Sequence, residues 1–84
     1  MIIYEFYVKG RLIHKNQMHY NITLRDKILI PYDATTQIGC QPLLVKAIVD
    51  SITVNVPTGI ISIEALPLDD DQWNEAKRLA EIGG

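Results

Sequence analysis

The chain has 84 residues, of which 48% are hydrophobic and 21% charged, with a formal net charge of −2. A chain this short buries too little surface for two separate cores, so we expect one domain spanning residues 1–84. The composition excludes a disordered chain, and no apolar run approaches the roughly 20 residues that cross a bilayer. Cys40 is the only cysteine, and Met1–Glu5 lacks the basic start of a secretory signal, so we expect a cytoplasmic protein.

Apolar and polar residues alternate along most of the chain, which is typical of strands that bury one face of a sheet. Even positions from Ile2 to Leu12 are apolar, and Gly10 within this run indicates a bend or bulge. A second run, from Met18 to Leu24, repeats the even parity. We therefore predict a hairpin with a three-residue turn at Lys15–Gln17, because this turn length places both apolar sets on one face.

The middle of the chain leaves two alternatives open. The second strand either ends near Asp26 or continues as one bent strand to Tyr32; a turn or bulge is expected at Asp26, because its carboxylate would otherwise point into the core. Residues 33–42 contain many turn-forming residues and predict the longest connection. Residues 43–49 fit a strand or a short helix after Pro42, and we predict a strand.

The clearest hairpin lies near the C-terminal end of the strand-rich part. A two-residue turn at Thr58–Gly59 pairs Val56 with Ile61, and the same logic places a further turn at Asp50–Ser51. Residues 2–66 therefore predict an antiparallel β-meander or a small, partly open barrel of about five to six strands.

The final segment has the spacing of an amphipathic helix over about residues 69–82. Asp69 is the predicted N-cap, with Gln72 three residues later as in a capping box, and Leu68 is predicted to pack against Trp73. Trp73 is expected to anchor the helix on the sheet. The predicted fold class is therefore α+β, with one C-terminal helix packed on the sheet.

No pattern in the sequence predicts catalysis, a metal or a cofactor. The carboxylates of Asp69–Asp71 lie at a helix start, where they favourably meet the helix dipole and diverge by about 100° per residue. His14 and His19 are predicted to point to opposite faces, so they do not form a metal site. Cys40 has no activating group nearby in sequence. We expect a protein that is not an enzyme and holds no cofactor.

The outer face of the first hairpin is the candidate binding face. It combines cations, amides and one exposed aromatic ring, a mixture that binds single-stranded nucleic acid in small β-barrels. A sequence pI of about 5.5 argues against a dedicated nucleic-acid binder. The residues of this face are Tyr7, Lys9, Arg11, Ile13, Lys15, His19, Asn21, Arg25 and Lys27.

The leading functional prediction is a small non-catalytic protein-interaction module, either an accessory or an inhibitory factor, with self-association into a dimer as one form. It follows from apolar residues predicted to face outward, which mark interaction sites when they cluster. The alternative is nucleic-acid or anionic-ligand binding through the first hairpin, and a small-molecule site between the helix and the sheet is a third. No membrane partner is expected. The outward-facing apolar residues are Ile3, Tyr7, Ile13, Leu29 and Ile60.

Overall fold

The computed structural model describes residues 2–18, 21–38 and 41–83, without the side chains of residues 36–38 and 83. These ranges contain five strands, a 3₁₀ helix and an α-helix. The elements in chain order are β1 (Ile2–Val8), β2 (Arg11–Met18), β3 (Lys27–Tyr32), the 3₁₀ helix (Asp33–Ile38), β4 (Leu43–Asn55), β5 (Ile60–Pro67) and α1 (Asp70–Gly83).

The strands form one sheet in the order β2-β1-β5-β4-β3. Three neighbouring pairs are antiparallel, and the central pair, β1 with β5, is parallel. The sheet curls into a half-barrel with α1 packed on it, which confirms the predicted α+β class, the partly open barrel and the C-terminal helix. The parallel pair makes the sheet mixed, so it is not a simple meander.

The concave face of the sheet holds the core. Alternation along β1 places Tyr4, Phe6 and Val8 there, with 2%, 4% and 0% exposure, as predicted from the even parity. Ile63 and Ala65 of β5 lie beside them in the parallel register and are equally buried. The alternate apolar residues that the sequence shows along β1 are therefore the ones that the hydrophobic effect buries.

The first hairpin turns earlier than predicted. Lys9 and Gly10 form a two-residue turn between β1 and β2, with φ values of 50° and 79°. Positive φ at both positions is the geometry of a type I′ turn, which matches the twist of the flanking strands. The predicted turn at Lys15–Gln17 is wrong, because these residues lie within β2.

The early turn reverses the predicted positions of two residues. Because Val8 pairs with Arg11 and Tyr7 with Leu12, Leu12 faces outward and is 48% exposed, whereas Ile13 lies in the core with 3% exposure. The predictions that Ile13 faces outward and Leu12 inward are therefore wrong, because a two-residue turn shifts the inward face by one residue. Phe6 then pairs with His14, so β2 carries one extra residue in a bulge that returns the inward face to even positions.

The predicted strand from Met18 to Leu24 is also wrong over residues 21–24. Residues 21–26 form a loop with a turn at Leu24–Arg25, and residues 19 and 20 lie outside the described residues. The turn expected at Asp26 is confirmed, because its Oδ2 accepts a hydrogen bond from Thr23 N at 2.9 Å. The second and third strands are therefore separate elements.

Residues 43–49 form a strand, as predicted, but no turn follows them. β4 runs through Asp50–Ser51, where Val49 pairs with Ala65 and Ser51 pairs with Glu64. This change of register is a bulge that leaves Asp50 unpaired. The predicted turn at Asp50–Ser51 is therefore wrong.

The β4–β5 hairpin exists, with a longer turn than predicted. Asn55 pairs with Ile60, so the turn comprises Val56–Gly59, and Gly59 has a φ of 74°. Ile61 pairs with Val54 instead of Val56. This shift of two residues keeps the paired side chains on their predicted faces, because the side-chain period of a strand is two. Val56, predicted to pair on the apolar face, instead lies in the turn and is 83% exposed.

The start of α1 is capped and tied to the sheet. Asp69 Oδ1 accepts hydrogen bonds from the backbone N–H groups of Asp71 and Gln72 at 3.0 and 3.1 Å, which confirms the predicted N-cap. The Gln72 side chain bonds outside the helix, because its Oε1 accepts from Lys46 N at 2.9 Å. Leu68 N donates to Lys46 O at 3.0 Å, so two hydrogen bonds join this corner to β4.

Trp73 anchors α1, as predicted. It is 1% exposed, and its ring stacks on Tyr32 with centroids 5.5 Å apart. Ala76 and Ala80 continue the buried stripe of the helix. Leu68, which is predicted to pack against Trp73, is 47% exposed.

The cap predicts the effect of substituting Asp69. Asp69→Ala should lower the free energy of unfolding by about 1 kcal/mol, because two N–H groups lose their acceptor. Asp69→Asn is the matched control and should retain most of the stability, since Asn caps helices as well as Asp does. Urea denaturation followed by Trp73 fluorescence measures both values. Equal loss in the two variants would contradict the capping role.

The turn at Lys9–Gly10 predicts whether a substitution at Gly10 raises or lowers the stability of the protein. Gly10→Ala should destabilise the protein by about 1 kcal/mol, because an L-residue is strained at this positive φ. An added Cβ would meet no atom within 4 Å, so crowding does not contribute. If Gly10 lay within a strand, the same change would instead stabilise by roughly 0.5–1 kcal/mol. Thermal and urea unfolding distinguish stabilisation from destabilisation. The stability of Gly10→Asn should lie between that of the parent and that of Gly10→Ala.

Candidate binding surfaces

The convex face of the first hairpin is polar and internally paired around Glu5, and it carries one exposed leucine, Leu12, opposite Tyr7. Lys15 Nζ lies 3.7 Å from Glu5 Oε2, and the Tyr7 hydroxyl donates to Glu5 Oε1 at 3.3 Å. Partial burial and then the negative charge of Glu5 raise the pKa of Tyr7 above its usual value. Lys9 is exposed in the adjoining turn. Of the predicted binding face, Tyr7, Lys9 and Lys15 therefore lie together.

Two other members of the predicted face point to the concave side. Arg11 Nη1 donates to the Tyr32 hydroxyl at 3.0 Å, and its Nη2 lies 3.8 Å from Glu81 Oε1 on α1. The hydrogen bond to Tyr32 is the main reason that the pKa of Arg11 is raised. Ile13 is in the core. Arg11 therefore joins β2 to β3 and α1 and does not extend the polar face.

The remaining members lie elsewhere. Asn21 is exposed in the loop after β2, while Arg25 and Lys27 are exposed at the start of β3. Arg25 lies in the turn before β3 and Lys27 at its first position, so these two cations belong to a different element of the sheet from Lys9 and Lys15. His19 lies outside the described residues. The predicted face is not one continuous surface among the residues that the structure describes.

The convex face of β3, β4 and β5 gathers exposed apolar side chains instead. Leu29 pairs with Lys46, and Ile48 pairs with both Lys27 and Leu66, so these residues form one neighbourhood. Its five leucines are between 46% and 58% exposed. We call this surface the outer patch, and it consists of Leu24, Lys27, Leu29, Leu44, Lys46, Ile48, Leu66 and Leu68.

Two depressions shape the outer patch. One is lined by the apolar residues Leu24, Ile48, Val49 and Leu66 and by the charged residues Arg25 and Asp50. The other is lined by Ile28, Leu29 and Leu68 and by the charged residues Lys27, Lys46 and Asp69. Each depression therefore combines apolar and charged lining residues.

The two lysines of the outer patch differ from the cations of the first hairpin. Neither Lys27 nor Lys46 forms an ion pair with a described residue, whereas Arg11 and Lys15 each lie near a glutamate. The outer patch therefore presents two unneutralised ammonium groups among exposed leucines. Such a combination is unusual on the solvated face of a sheet, where alternation normally places polar side chains.

A cleft opens where the curled sheet brings the edges of β2 and β3 together. Its volume is about 240 Å³. His14 lies in its wall, with Nδ1 2.9 Å from Asp33 Oδ1 and the ring stacked 5.8 Å from that of Phe6. We call it the seam cleft, and it is lined by Phe6, His14, Asn16, Met18, Ile22, Ile28, Leu29, Ile30 and Pro31.

The described residues offer no arrangement for a metal ion. Among them, no three His, Cys, Asp or Glu side chains lie close enough together to hold one, while His19 and Cys40 are outside this set. Trp73, beside the third predicted site, is packed tightly on Tyr32, and its Nε1 has no hydrogen-bond partner among the described residues. No described helix has both the length and the apolar character needed to span a membrane.

Comparisons with known proteins assign no family. No protein-family model matches the sequence, and no curated protein and no solved structure matches it significantly. Functional inference therefore depends on the surfaces of the molecule itself.

Sequence reasoning found only part of the outer patch. Leu29 and Lys27 were predicted to face outward, whereas Leu24 was assigned to the inner face of a strand that does not form. A signal was present in residues 43–49, where apolar residues occupy both parities. Such a run indicates a strand with two apolar faces, and Leu44 and Ile48 lie on the outer one.

The raised pKa of Tyr7 predicts a pH dependence of stability. Because the folded state holds the phenolic proton more tightly, this contribution is present below the usual tyrosine pKa of about 10 and is lost as the pH rises through the higher folded pKa. The difference in unfolding free energy between the parent and Tyr7→Phe should therefore shrink between about pH 8 and about pH 11. Urea denaturation at both pH values measures it, and a constant difference would contradict the assignment.

Proposed function

We propose that this protein is a non-catalytic interaction module that binds a protein partner through the outer patch. The observation that carries the proposal is the clustering of five half-exposed leucines on one face of the sheet. Large contiguous apolar patches seldom stay exposed on a monomer, and they mark interaction sites. The leucines are Leu24, Leu29, Leu44, Leu66 and Leu68.

The two halves of the convex face provide an internal comparison. Around Glu5 the surface is polar, and Lys15 and Tyr7 both contact the same carboxylate. Around Ile48 it is apolar, and Lys27 and Lys46 have no anionic partner among the described residues. A sheet face that served only solvation would not need this contrast, so it supports a binding role for the second half.

The charges indicate the chemistry of the partner. An apolar partner alone would bury Lys27 and Lys46 with only Asp69, whose Oδ1 caps α1, as a carboxylate in the same depression, and burial of the excess positive charge is unfavourable. A partner that carries Asp or Glu beside its apolar side chains would neutralise both lysines and gain specificity. We therefore infer an acidic, apolar binding segment.

The size of the outer patch favours a short segment. Its eight residues are far fewer than the roughly 20–30 that each side contributes to a standard protein interface. Two depressions on one face can accept successive apolar anchors from a helix or an extended peptide. We therefore infer an accessory or inhibitory factor. We place it in the cytoplasm, where a single cysteine such as Cys40 stays reduced.

Substitutions in the outer patch test the proposal. Leu29→Glu should weaken partner binding at least about tenfold, because it removes an apolar anchor and adds a charge that repels an acidic segment. Val56→Glu is the matched control, since Val56 is 83% exposed at the tip of the β4–β5 hairpin, away from the patch. Partners captured by the parent and lost by Leu29→Glu alone would then be purified and titrated by calorimetry.

Three results would contradict the proposal. The first is a partner that binds the parent and Leu29→Glu equally well. The second is a partner whose affinity rises when Lys46 is changed to Glu, because the inferred segment is acidic. The third is a parent protein that sediments as a strict monomer and retains no partner. Nucleic-acid binding through the first hairpin stays a prediction. The structure adds no support for it, because the cations Arg11 and Lys15 already lie near Glu81 and Glu5.

A further inference from the structure

The seam cleft has the composition of a small-molecule site. Most of its wall is apolar, with Phe6, Met18 and Ile30 among the contributors. Only two lining side chains, His14 and Asn16, carry polar groups. Sites for small ligands are typically apolar with a few placed polar groups that fix orientation.

The volume of the seam cleft limits the ligand. At about 240 Å³ the cleft is larger than the ~150 Å³ cavity that holds benzene and smaller than the ~300–1,000 Å³ of sites for drug-sized ligands. It therefore fits one aromatic ring with a short substituent. The stacked rings of Phe6 and His14 supply an aromatic wall for such a ring.

The hydrogen bonds that His14 and Asn16 already form determine which donor and acceptor groups remain for a ligand. The Asp33 carboxylate accepts from His14 Nδ1 at 2.9 Å, so a neutral His14 ring retains Nε2 as an acceptor. Asn16 Oδ1 accepts from Gln17 N at 2.8 Å, which leaves the amide NH₂ of Asn16 as a donor. One acceptor and one donor complement a hydroxyl group, which both donates and accepts.

The His14 ring is also held in place before any ligand arrives. Asp33 fixes one ring nitrogen, Phe6 stacks on the ring face, and the side chain is only 16% exposed. Groups that are already ordered cost less conformational entropy on binding. His14 is therefore a suitable orienting group for a small ligand.

We propose that the seam cleft binds a small phenolic molecule, with its ring beside Phe6 and its hydroxyl between His14 and Asn16. Leu29 lines this site and also belongs to the outer patch, whereas the polar side chains of the cleft, His14 and Asn16, belong to β2 and lie on the concave side of the sheet. Occupancy of the cleft is therefore measured at β2, which contributes no residue to the outer patch.

Titration with p-cresol tests the proposal, with toluene as the matched compound that lacks the hydroxyl. Chemical shifts of backbone amides should change saturably along β2 and β3, with a dissociation constant in the millimolar range. Toluene should bind about fivefold more weakly, because the hydroxyl contributes roughly one net hydrogen bond.

Two variants separate the contributions of the hydroxyl and the ring. His14→Phe keeps an aromatic ring beside Phe6 and removes Nε2, so the preference for p-cresol over toluene should shrink while the affinity for toluene is unchanged; the Asn16 amide still donates to the hydroxyl. Met18→Trp should fill the cleft and abolish binding of both compounds. Val56→Trp adds the same side chain at the exposed hairpin tip and should leave both affinities unchanged. The dispersion of the amide spectrum confirms that each variant is folded.

Specific outcomes would overturn the proposal. Equal affinities of the parent for p-cresol and toluene would remove the role of the hydroxyl. Shifts at residues of the outer patch other than Leu29 with none along β2, or shifts that increase linearly without saturation, would show that the seam cleft is not the site. An unchanged preference for p-cresol in folded His14→Phe would remove His14 from the site.

Discussion

The parallel pairing of β1 with β5 makes one sheet from two antiparallel units. β1 and β2 form a hairpin, β3, β4 and β5 form a meander, and the ladder from Ile3–Ile60 to Val8–Ala65 joins them at the centre. Val8 and Ile63, with 0% exposure each, show how completely this junction is buried. The arrangement places β2 and β3 at the two edges, and curling then brings those edges together. The seam cleft lies between the edges and the outer patch on the convex side, so both surfaces depend on this junction.

Parity predicted the core of β1 and the fold class, yet it misplaced the first turn for a definable reason. The two-residue turn at Lys9–Gly10 transfers the inward face from even to odd positions, because Val8 pairs with Arg11. The bulge beside Ile13 then returns it to even positions, because Phe6 pairs with His14. The two reversals cancel in the sequence, which therefore resembles one uninterrupted strand. The backbone conformations of Lys9 and Gly10 and the bulge at Ile13 distinguish the two structures, and Lys9 and Ile13 have no marked preference for these conformations.

In β4 a bulge was mistaken for a turn, whereas in the first hairpin a turn was missed. This error explains why the outer patch was only partly predicted. The inward face changes parity across Asp50, and a tight turn or a bulge produces the same change in sequence. The meander predicted from a turn would have given two short strands, whereas the bulge gives one strand of 13 residues. The candidate site depends on such long-range pairing, because Leu29, Ile48 and Leu66 come from three strands. Local patterns do not contain that information, while the helix cap at Asp69 is local and was predicted correctly.

The seam cleft persists because neither of the two edges that meet there can easily pair with the other. Pro31 in β3 has no N–H to donate, and the bulge at Ile13 disrupts the regular spacing of β2. The edges are instead joined at one end by side chains, through Arg11 with Tyr32 and His14 with Asp33. A barrel closed by backbone hydrogen bonds would bring the strands about 4.8 Å apart and leave no room for a ligand. The features that protect these edges from pairing with other chains are therefore the same features that keep the cleft open.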